Sequence, residues 1–383
     1  MTSERSVPPT ISEVAEAAGV GRSTAARTLG GYGYVSPELR ERVLAAAERI
    51  GYRANALARS MSTGVSQTLG VIVADIANPF FGGVVRGISD ASRARGFDTL
   101  VLSTHEDLDE EIAATNVLID KRVDGIILAS AALDAASAGH IAQARARDIP
   151  VVLVDRAVPG LDLDAVVIDN RTSARDAVAR LLDAGHRRIG FVWGPPVAER
   201  PRRRRELIDV TSRNLWTDGE RLQGYLDALD DEGVVFDPEL VMVGAKTEEH
   251  AEVEVERMLA LDDPPTALFC TENDAVTGSL LALRRRGLRV GADVSLIGFD
   301  DSSWAAVMEP PLTMIAQPTL ELGARAAEVL FAAIDGEPGR AALHTLGTRF
   351  VERASVQPPS AADAPDHFNS RESLRSASVL PPV

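Results

Sequence analysis

The chain of 383 residues contains one cysteine, Cys270. No disulfide can close within it, and no cysteine-based metal site can form. Cys270 sits in the apolar run "TALFC" and reads as a buried core thiol. The six histidines are scattered, with no HxxxH or His/Cys spacing, so neither a metal nor a cofactor is expected. No stretch approaches about 18 consecutive apolar residues, so no transmembrane helix is expected. The opening "MTSERSVPPT" lacks the apolar segment of a secretory signal. The expected location is the cytoplasm, with no membrane partner. Nucleophile elbows and phosphate-binding glycine loops are missing too. Asp300 and Asp301 are adjacent, which points them apart at a strand end and argues against the paired carboxylates of a glycosidase. No catalytic residue is assigned and no enzyme is expected. Lysine is almost absent: Lys121 and Lys246 are the two, and the remaining positive charge is arginine.

What is present is ordinary for packed cores: 45% hydrophobic and 25% charged residues, enough for two or three domains at this length. The net charge of −16 argues against unspecific binding to polyanions. That total hides an asymmetry. Residues 1–64 carry eight Arg and six Glu, a net of +2, which leaves −18 on the rest. A small basic head on an acidic body suggests a segregated module for a polyanion.

The head reads as three short helices. Thr10 and Glu13 form a capping box, in which a hydroxyl and a carboxylate satisfy orphan amides at a helix start. Val14, Ala15 and Ala18 give that helix an apolar stripe, and Gly19 ends it. A second helix is expected over Arg22–Leu29, with Ala25 and Leu29 inward and Arg22, Ser23, Ala26 and Arg27 outward. "GGYGYV" is a loop. Ser36 caps a third helix with Pro37 at its first position; Leu39, Val43, Ala47 and Ile50 line its inner face and Gly51 stops it. Two short helices joined by a glycine turn, with a third packed on them, form a helix-turn-helix. The second helix can place its N-terminal side chains against base edges in a major groove.

After residue 64 the pattern changes to strands alternating with helices at roughly 25–30 residue spacing. The strands are "TLGVIVAD", "FDTLVLST", "DGIILAS", "IPVVLVD", "RRIGFVWG", "LVMVG", "PPTALFC" and "VSLIGFDD". The first helices are expected over Phe80–Arg95, Asp109–Lys121 and around Ile141–Arg147. Two such series in tandem give a two-lobed α/β body of parallel sheets, with a ligand crevice beyond the strand C-termini. Asp75, Asn78 and Phe80 follow the first strand, and Asp155 and Arg156 close "VVLVDR". A Phe face, carboxylates and a forked Arg suit a saccharide or polyol. Trp216 and Trp304 are further stacking candidates.

The run "TISEVAEAAGVGRSTAARTLGG…YVSPELRERVLAAAERIGYRANALARSM" resembles the N-terminal domain of the LacI/GalR family of bacterial transcription regulators. "DIANPFF", "KRVDGIILA", "VIDN", "RLQGY", "TENDAVTGSLLALRRRGLRVGADVSLIGFDD" and "PPLTMIAQP" extend the resemblance over about residues 9–355. The resemblance implies a helix-turn-helix and hinge in 1–64, a two-lobed effector-binding and dimerisation domain like periplasmic sugar-binding proteins in 65–356, and leaves 357–383 as a disordered tail. It places Arg22, Ser23 and Arg27 at base-reading positions. Thr24 falls among the phosphate contacts, with Thr10, Tyr34, Asn55 and Ala58 as further DNA-contact positions. "NALARSM" matches a hinge that folds on the operator, and Met61 stands where a leucine wedges into the minor groove. It also places Asp169, Arg221, Asn273 and Asp300 at effector positions beside Asp75, Asn78, Phe80 and Arg156. Three residues depart from the family pattern: Gly21 replaces a serine cap, Ala26 a DNA-contacting serine, and Ala54 a proline before the hinge.

The densest positive run, "RPRRRRE" at 200–206, lies in an insertion after a strand end, far along the chain from the head. It reads as a solvated loop paired with acidic neighbours, as a lid for an anionic effector such as a sugar phosphate, or as an unspecific DNA contact. The Pro-, Ser- and Ala-rich tail has no heptad pattern and offers no tetramerisation helix. The expected molecule is a homodimeric, effector-controlled repressor on double-stranded, pseudo-palindromic operator DNA, its effector a sugar or sugar derivative. The other reading is a solute-binding protein of a sugar transport system.

Overall fold

A computed structural model of the chain describes residues 9–30, 32–52, 65–211, 214–337 and 339–360. Internal contacts divide the chain into Met1–Thr68 with Arg122–Asp124, and the remainder.

The N-terminal unit holds α1 (Ile11–Ala18), α2 (Arg22–Gly30) and α3 (Pro37–Arg49). The capping box at the start of α1 forms: the Thr10 amide donates to Glu13 Oε2 at 2.6 Å, and the Glu13 amide to Thr10 Oγ1 at 3.4 Å. Gly19 closes α1 with φ +63°, where an added Cβ would press on the Arg42 guanidinium at 3.2 Å. That guanidinium donates to the Ala18 and Gly19 carbonyls, and Arg49 donates to the Ala17 carbonyl. Two arginines of α3 thus satisfy the orphan carbonyls of α1 and fix the turn into α2. Val14, Ala15, Ala18, Ala25, Val43, Ala46 and Ala47 form the core. Thr28 is buried and Leu29 only half-buried, so the inner face of α2 is rotated from the expected pair toward Thr28. Gly51, not a further helical turn, follows α3 in the left-handed region.

The second unit has two sheets. The first is six-stranded in the order β10-β5-β4-β3-β1-β2, the second five-stranded in the order β11-β9-β8-β7-β6. Their strands are β1 (Thr68–Val73), β2 (Asp98–Ser103), β3 (Gly125–Leu128), β4 (Val151–Val154), β5 (Ala165–Ile168), β6 (Ile189–Val192), β7 (Ala267–Cys270), β8 (Ser295–Phe299), β9 (Thr313–Ala316), β10 (Leu343–Leu346) and β11 (Arg349–Val351). The ladders β1–β3, β3–β4, β4–β5 and β5–β10 are parallel, as are β6 through β9. Beta-branched and aliphatic runs buried on both faces, such as VVLV in β4, account for this.

Two features differ from the sequence expectation. β11 runs antiparallel to β9, so the second sheet is not purely parallel. The expected strand "LVMVG" reduces to a single bridge between Val241 and Phe191. Pro238 winds its entry into a short 3₁₀ turn, and Gly244 leaves it at φ +111°.

The first lobe carries α4 (Pro79–Ala94), α5 (Leu108–Lys121), α6 (Gly139–Arg145) and α13 (Thr319–Ile334). The second carries α7 (Asn170–Asp183), α8 (Arg204–Val210), α9 (Trp216–Asp231), α10 (Glu248–Met258), α11 (Asn273–Arg285) and α12 (Ser303–Val307). α4 and α13 meet backbone to backbone. A Cβ on Gly87 would lie 2.1 Å from the Leu320 carbonyl, and one on Gly323 2.0 Å from the Val84 carbonyl. The chain passes between lobes after β5, after β9 and between β10 and β11. Among the described residues, no helix is long and apolar enough to cross a membrane.

Candidate operator interface and effector cleft

In the N-terminal unit, Arg22 and Ser23 are exposed at the start of α2, with Thr24 and Arg27 half-buried behind them. No acidic residue occupies the first turn of α2. The Gly21 carbonyl accepts from the Thr24 and Ala25 amides, so the helix begins without a side-chain cap. Arg27 Nε donates to the Ser23 carbonyl at 3.3 Å, which holds its guanidinium along the helix. Tyr34 is 85% exposed in the loop before α3. Thr10 is committed to its capping box. Asn55, Ala58 and Met61 lie outside the described residues, as does the rest of the expected hinge.

In the second unit, the ends of β1, β2, β4, β7 and β8 deliver a set of polar groups between the lobes. Asn78 caps α4 through Oδ1, which accepts from the Phe80 amide at 3.0 Å. Asn273, at the start of α11, donates from Nδ2 to the same oxygen at 3.4 Å. One residue belongs to the first lobe and the other to the second. Both line a cavity of about 420 Å³ with Asp75, Phe81, Glu106, Trp193, Lys246, Glu272 and Asp274. A smaller cavity of about 240 Å³ lies on the other side of Pro79 and is lined by Phe80, Asp300, Trp304 and Gln317.

Two buried arginines organise the floor. Arg156 Nε pairs with Asp155 Oδ2 at 3.1 Å, and Nη2 pairs with Glu106. Arg221 is 1% exposed; its Nε donates to Asn170 Oδ1 at 2.8 Å and Nη1 to the Thr271 carbonyl and Glu272 Oε1, both at 2.7 Å. Its guanidinium also lies 3.9 Å from the centre of the Phe299 ring. Burial opposes both charges, and their carboxylate neighbours more than offset it, raising both arginine pKa values. The carboxylates fare worse. Burial pushes Asp155 up to about 6 despite Arg156 and Arg221. Glu272 and Asp300 are raised by burial as well, against the pull of Arg221. Asp300 Oδ1 accepts from Gln317 Nε2 at 2.6 Å. Asp155 and Asp300 both sit at positive φ, 69° and 66°, where the chain turns sharply off β4 and β8.

The comparisons with known proteins agree in both units. Residues 10–55 match the model described as "Bacterial regulatory proteins, lacI family", and residues 66–354 match "Periplasmic binding proteins and sugar binding domain of LacI family". The chain belongs to the LacI family. It is 33% identical to the HTH-type transcriptional repressor CytR of Escherichia coli (strain K12) over 91% of this chain and 96% of that protein. A solved structure of a transcriptional regulator CelR–cellobiose complex is 31% identical, with a TM-score of 0.65 over 91% of this chain and 99% of that one. The Lac repressor dimer bound to operator and the anti-inducer ONPF is 25% identical, with a TM-score of 0.77 over 92% and 100%. This LacI-family member is a DNA-binding transcription regulator controlled by a small-molecule effector.

Within this LacI-family body the sequence candidates are not all gathered. Asp75, Asn78 and Asn273 line the larger cavity and Asp300 the smaller, with Arg156 and Arg221 buried behind them on Glu106 and Glu272. Phe80 is 6% exposed and packs edge-on against Phe81, so Phe81 faces the larger cavity and Phe80 the smaller. Asp169 stands apart: it is exposed and caps α7, accepting from the Thr172 amide at 3.0 Å. Its neighbour Asn170 is turned inward onto Arg221 instead. Trp304 lines the smaller cavity, whereas Trp216 opens α9. Glu106, Trp193, Lys246 and Glu272 were not singled out in the sequence. Lys246 Nζ donates to Asn214 Oδ1 at 2.6 Å and pairs with Asp218; its rarity as a lysine was the one available signal.

The arginine run lines neither cavity. Arg200 is bound to the second lobe through Glu254 Oε2 at 2.5 Å and the Val241 carbonyl. Arg204 pairs with Asp230 at 2.6 Å and opens α8, which buries Leu207. Arg202, Arg203 and Arg205 are exposed.

Proposed function

We propose that Arg22, Ser23 and Arg27 read base edges in the operator's major groove, and that the cleft between the two lobes takes a saccharide or a saccharide derivative as effector. The hydrogen bond from Asn273 to Asn78, across lobes and inside the larger cavity, carries the second half of this reading. A ligand that replaces that bond touches both lobes at once and so sets the angle between them. Asp75 lines the same cavity and Asp300 the smaller one, while Arg156 and Arg221 hold the lining carboxylates Glu106 and Glu272 from behind; together they offer the acceptors and forked donors that hydroxyl-rich ligands require. Thr24 holds a phosphate, Thr10 and Tyr34 are further DNA contacts, and Asn55, Ala58 and Met61 form the hinge contact. Two-fold pairing of the chain matches a pseudo-palindromic operator, as in the Lac repressor dimer bound to its operator.

The exposure of Arg22 at the start of α2 supports the DNA half. An operator selected from random duplexes, then varied one base pair at a time, tests it. Arg22→Ala costs about 1–3 kcal/mol at one position of each half-site and relaxes preference there. A uniform loss over every variant sinks base reading by Arg22. Thermal unfolding against a panel of sugars, sugar phosphates, polyols and purines tests the effector half. A hit whose shift disappears in Asn273→Ala supports the cleft; a shift unaffected by that change puts the effector elsewhere.

A further inference from the structure

Every cation that reaches the cleft is already engaged. Arg156 holds Asp155 and Glu106, Arg221 holds Glu272, and Lys246 holds Asp218; His105, which also lines the larger cavity, is paired with Glu110 at 3.2 Å. What remains unsatisfied is acceptor. Asp75 and Asp274 line the larger cavity, one following β1 in the first lobe and the other in the first turn of α11 in the second. Among the described residues neither has an ion-pair partner; the Asp75 carboxylate accepts only the Ala77 amide, at 2.8 Å. Asp274 is crowded by acids from both lobes: Asp75 and Glu106 on one side, Glu248 and Glu249 on its own. Asn273 Oδ1 is buried in the same wall with no hydrogen-bond partner. Its amide cannot simply be turned round, because Nδ2 faces Asn78 Oδ1, which is already an acceptor for the Phe80 amide. Gln317 Oε1, lining the smaller cavity, is likewise buried and unpartnered. Trp193 and Phe81 add two aromatic faces.

We propose that the effector is an organic ammonium, a sugar-like molecule carrying a protonated amine, whose N–H donors lie between Asp75 and Asp274. This deepens, and rests on, the reading of the cleft as the effector site. A neutral sugar supplies hydroxyl donors to these acceptors but leaves like charges facing each other across the lobes. A sugar acid adds to them. An ammonium supplies donors alone, removes the repulsion that opposes lobe closure, and can lie against the Trp193 face. A bare metal ion is a poorer occupant, since among the described residues no group of three carboxylates or histidines could hold one.

The test titrates the full chain calorimetrically with matched ligands: D-glucosamine, D-glucose and D-glucuronate, and the β-1,4-linked disaccharides of glucosamine and of glucose. The expected order is aminated over neutral by at least tenfold, with glucuronate weakest. Asp274→Asn removes most of that preference and leaves the neutral sugars within about twofold, which separates lost charge from lost fold; Asp75→Asn, which also alters a hydroxyl acceptor, weakens the aminated sugars about fivefold more than the neutral ones. Equal or tighter binding of a neutral or acidic member overturns the proposal, as does a preference that survives both substitutions or the failure of every aminated sugar to bind. If a neutral sugar then binds and loses its binding in Asn273→Ala, the effector cleft stands and only its charge class falls. Binding indifferent to Asn273→Ala removes both.

Discussion

Replacing Asp155 with asparagine should make the unliganded protein more stable at neutral pH, although it deletes one half of a buried ion pair. The Asp155 carboxyl is pushed from 3.8 up to about 6, by burial first, with Asp300 and Glu106 adding to it and Arg156 and Arg221 opposing it. A carboxyl whose pKa is higher in the folded chain than in the unfolded one favours folding while protonated and loses that advantage as it ionises. The rise from 3.8 to about 6 corresponds to about 3 kcal/mol against folding at pH 7.5, about half of that at pH 5, and almost nothing below 3.8. Asparagine keeps the shape and cannot ionise. Asp155→Asn therefore gains up to about 3 kcal/mol at pH 7.5, with the gain shrinking as pH falls through 6 toward 4. For a body of this size that is a rise of roughly 5 °C or more in the unfolding midpoint. Trp193, Trp216 and Trp304 all lie in the two-lobed body, so urea unfolding followed by tryptophan fluorescence at pH 5 and 7.5 reports on that body alone. A variant less stable than the parent at pH 7.5 refutes the reasoning: pairing with Arg156 would then outweigh the cost of burying the carboxylate.

Two other changes separate contacts that look alike in sequence. Gly323→Ala places a methyl 2.0 Å from the Val84 carbonyl, so α4 and α13 must part, at a cost of at least about 3 kcal/mol in urea unfolding; an exposed glycine such as Gly336, with nothing near its Cβ direction but φ +74°, should lose about 1 kcal/mol on the same change. Within the arginine run, Arg200→Ala leaves Glu254 with Arg257 alone and takes a donor from the Val241 carbonyl, destabilising the second lobe by about 1–2 kcal/mol, whereas changing Arg202, Arg203 and Arg205 together to Ser leaves stability and effector affinity within about 0.5 kcal/mol. A loss of effector affinity in that triple variant revives the lid for anionic ligands.

The architecture was largely legible because local signals and global packing agree. Thr10 with Glu13, and Ser36 with Pro37, announce helix starts through backbone chemistry that needs no tertiary partner. The β-branched runs announce buried strands. "LVMVG" carries the same signal, yet it pairs through a single bridge to Phe191, entered by the turn at Pro238 and left at Gly244, whose amide goes to the Pro195 carbonyl instead. β11 is three residues long, too short for periodicity to mark its direction. The cleft was legible in outline and not in membership. Asp169 and Asn170 both follow β5; the helix takes the first as its cap, and the turn of the helix sends the second inward to Arg221. Glu106, Glu272 and Lys246 are single charged residues in loops, and nothing local distinguishes them from solvated ones. They become a site because separate strand ends bring them together around Arg156 and Arg221.

The passage of the chain from β9 back to α13 and β10, and then on to β11, has a consequence for synthesis. The helix-turn-helix of residues 9–52 is complete as soon as it leaves the ribosome. Neither lobe is: the first lacks α13 and its edge strand β10 until about residue 346 has emerged, and the second lacks β11 until residue 351. A nascent chain thus carries a finished DNA-reading head well before it has an effector body to govern it. A ribosome stalled before residue 319 would hold out a head joined to two unclosed halves, with the Gly87 surface of α4 bare where Gly323 should lie.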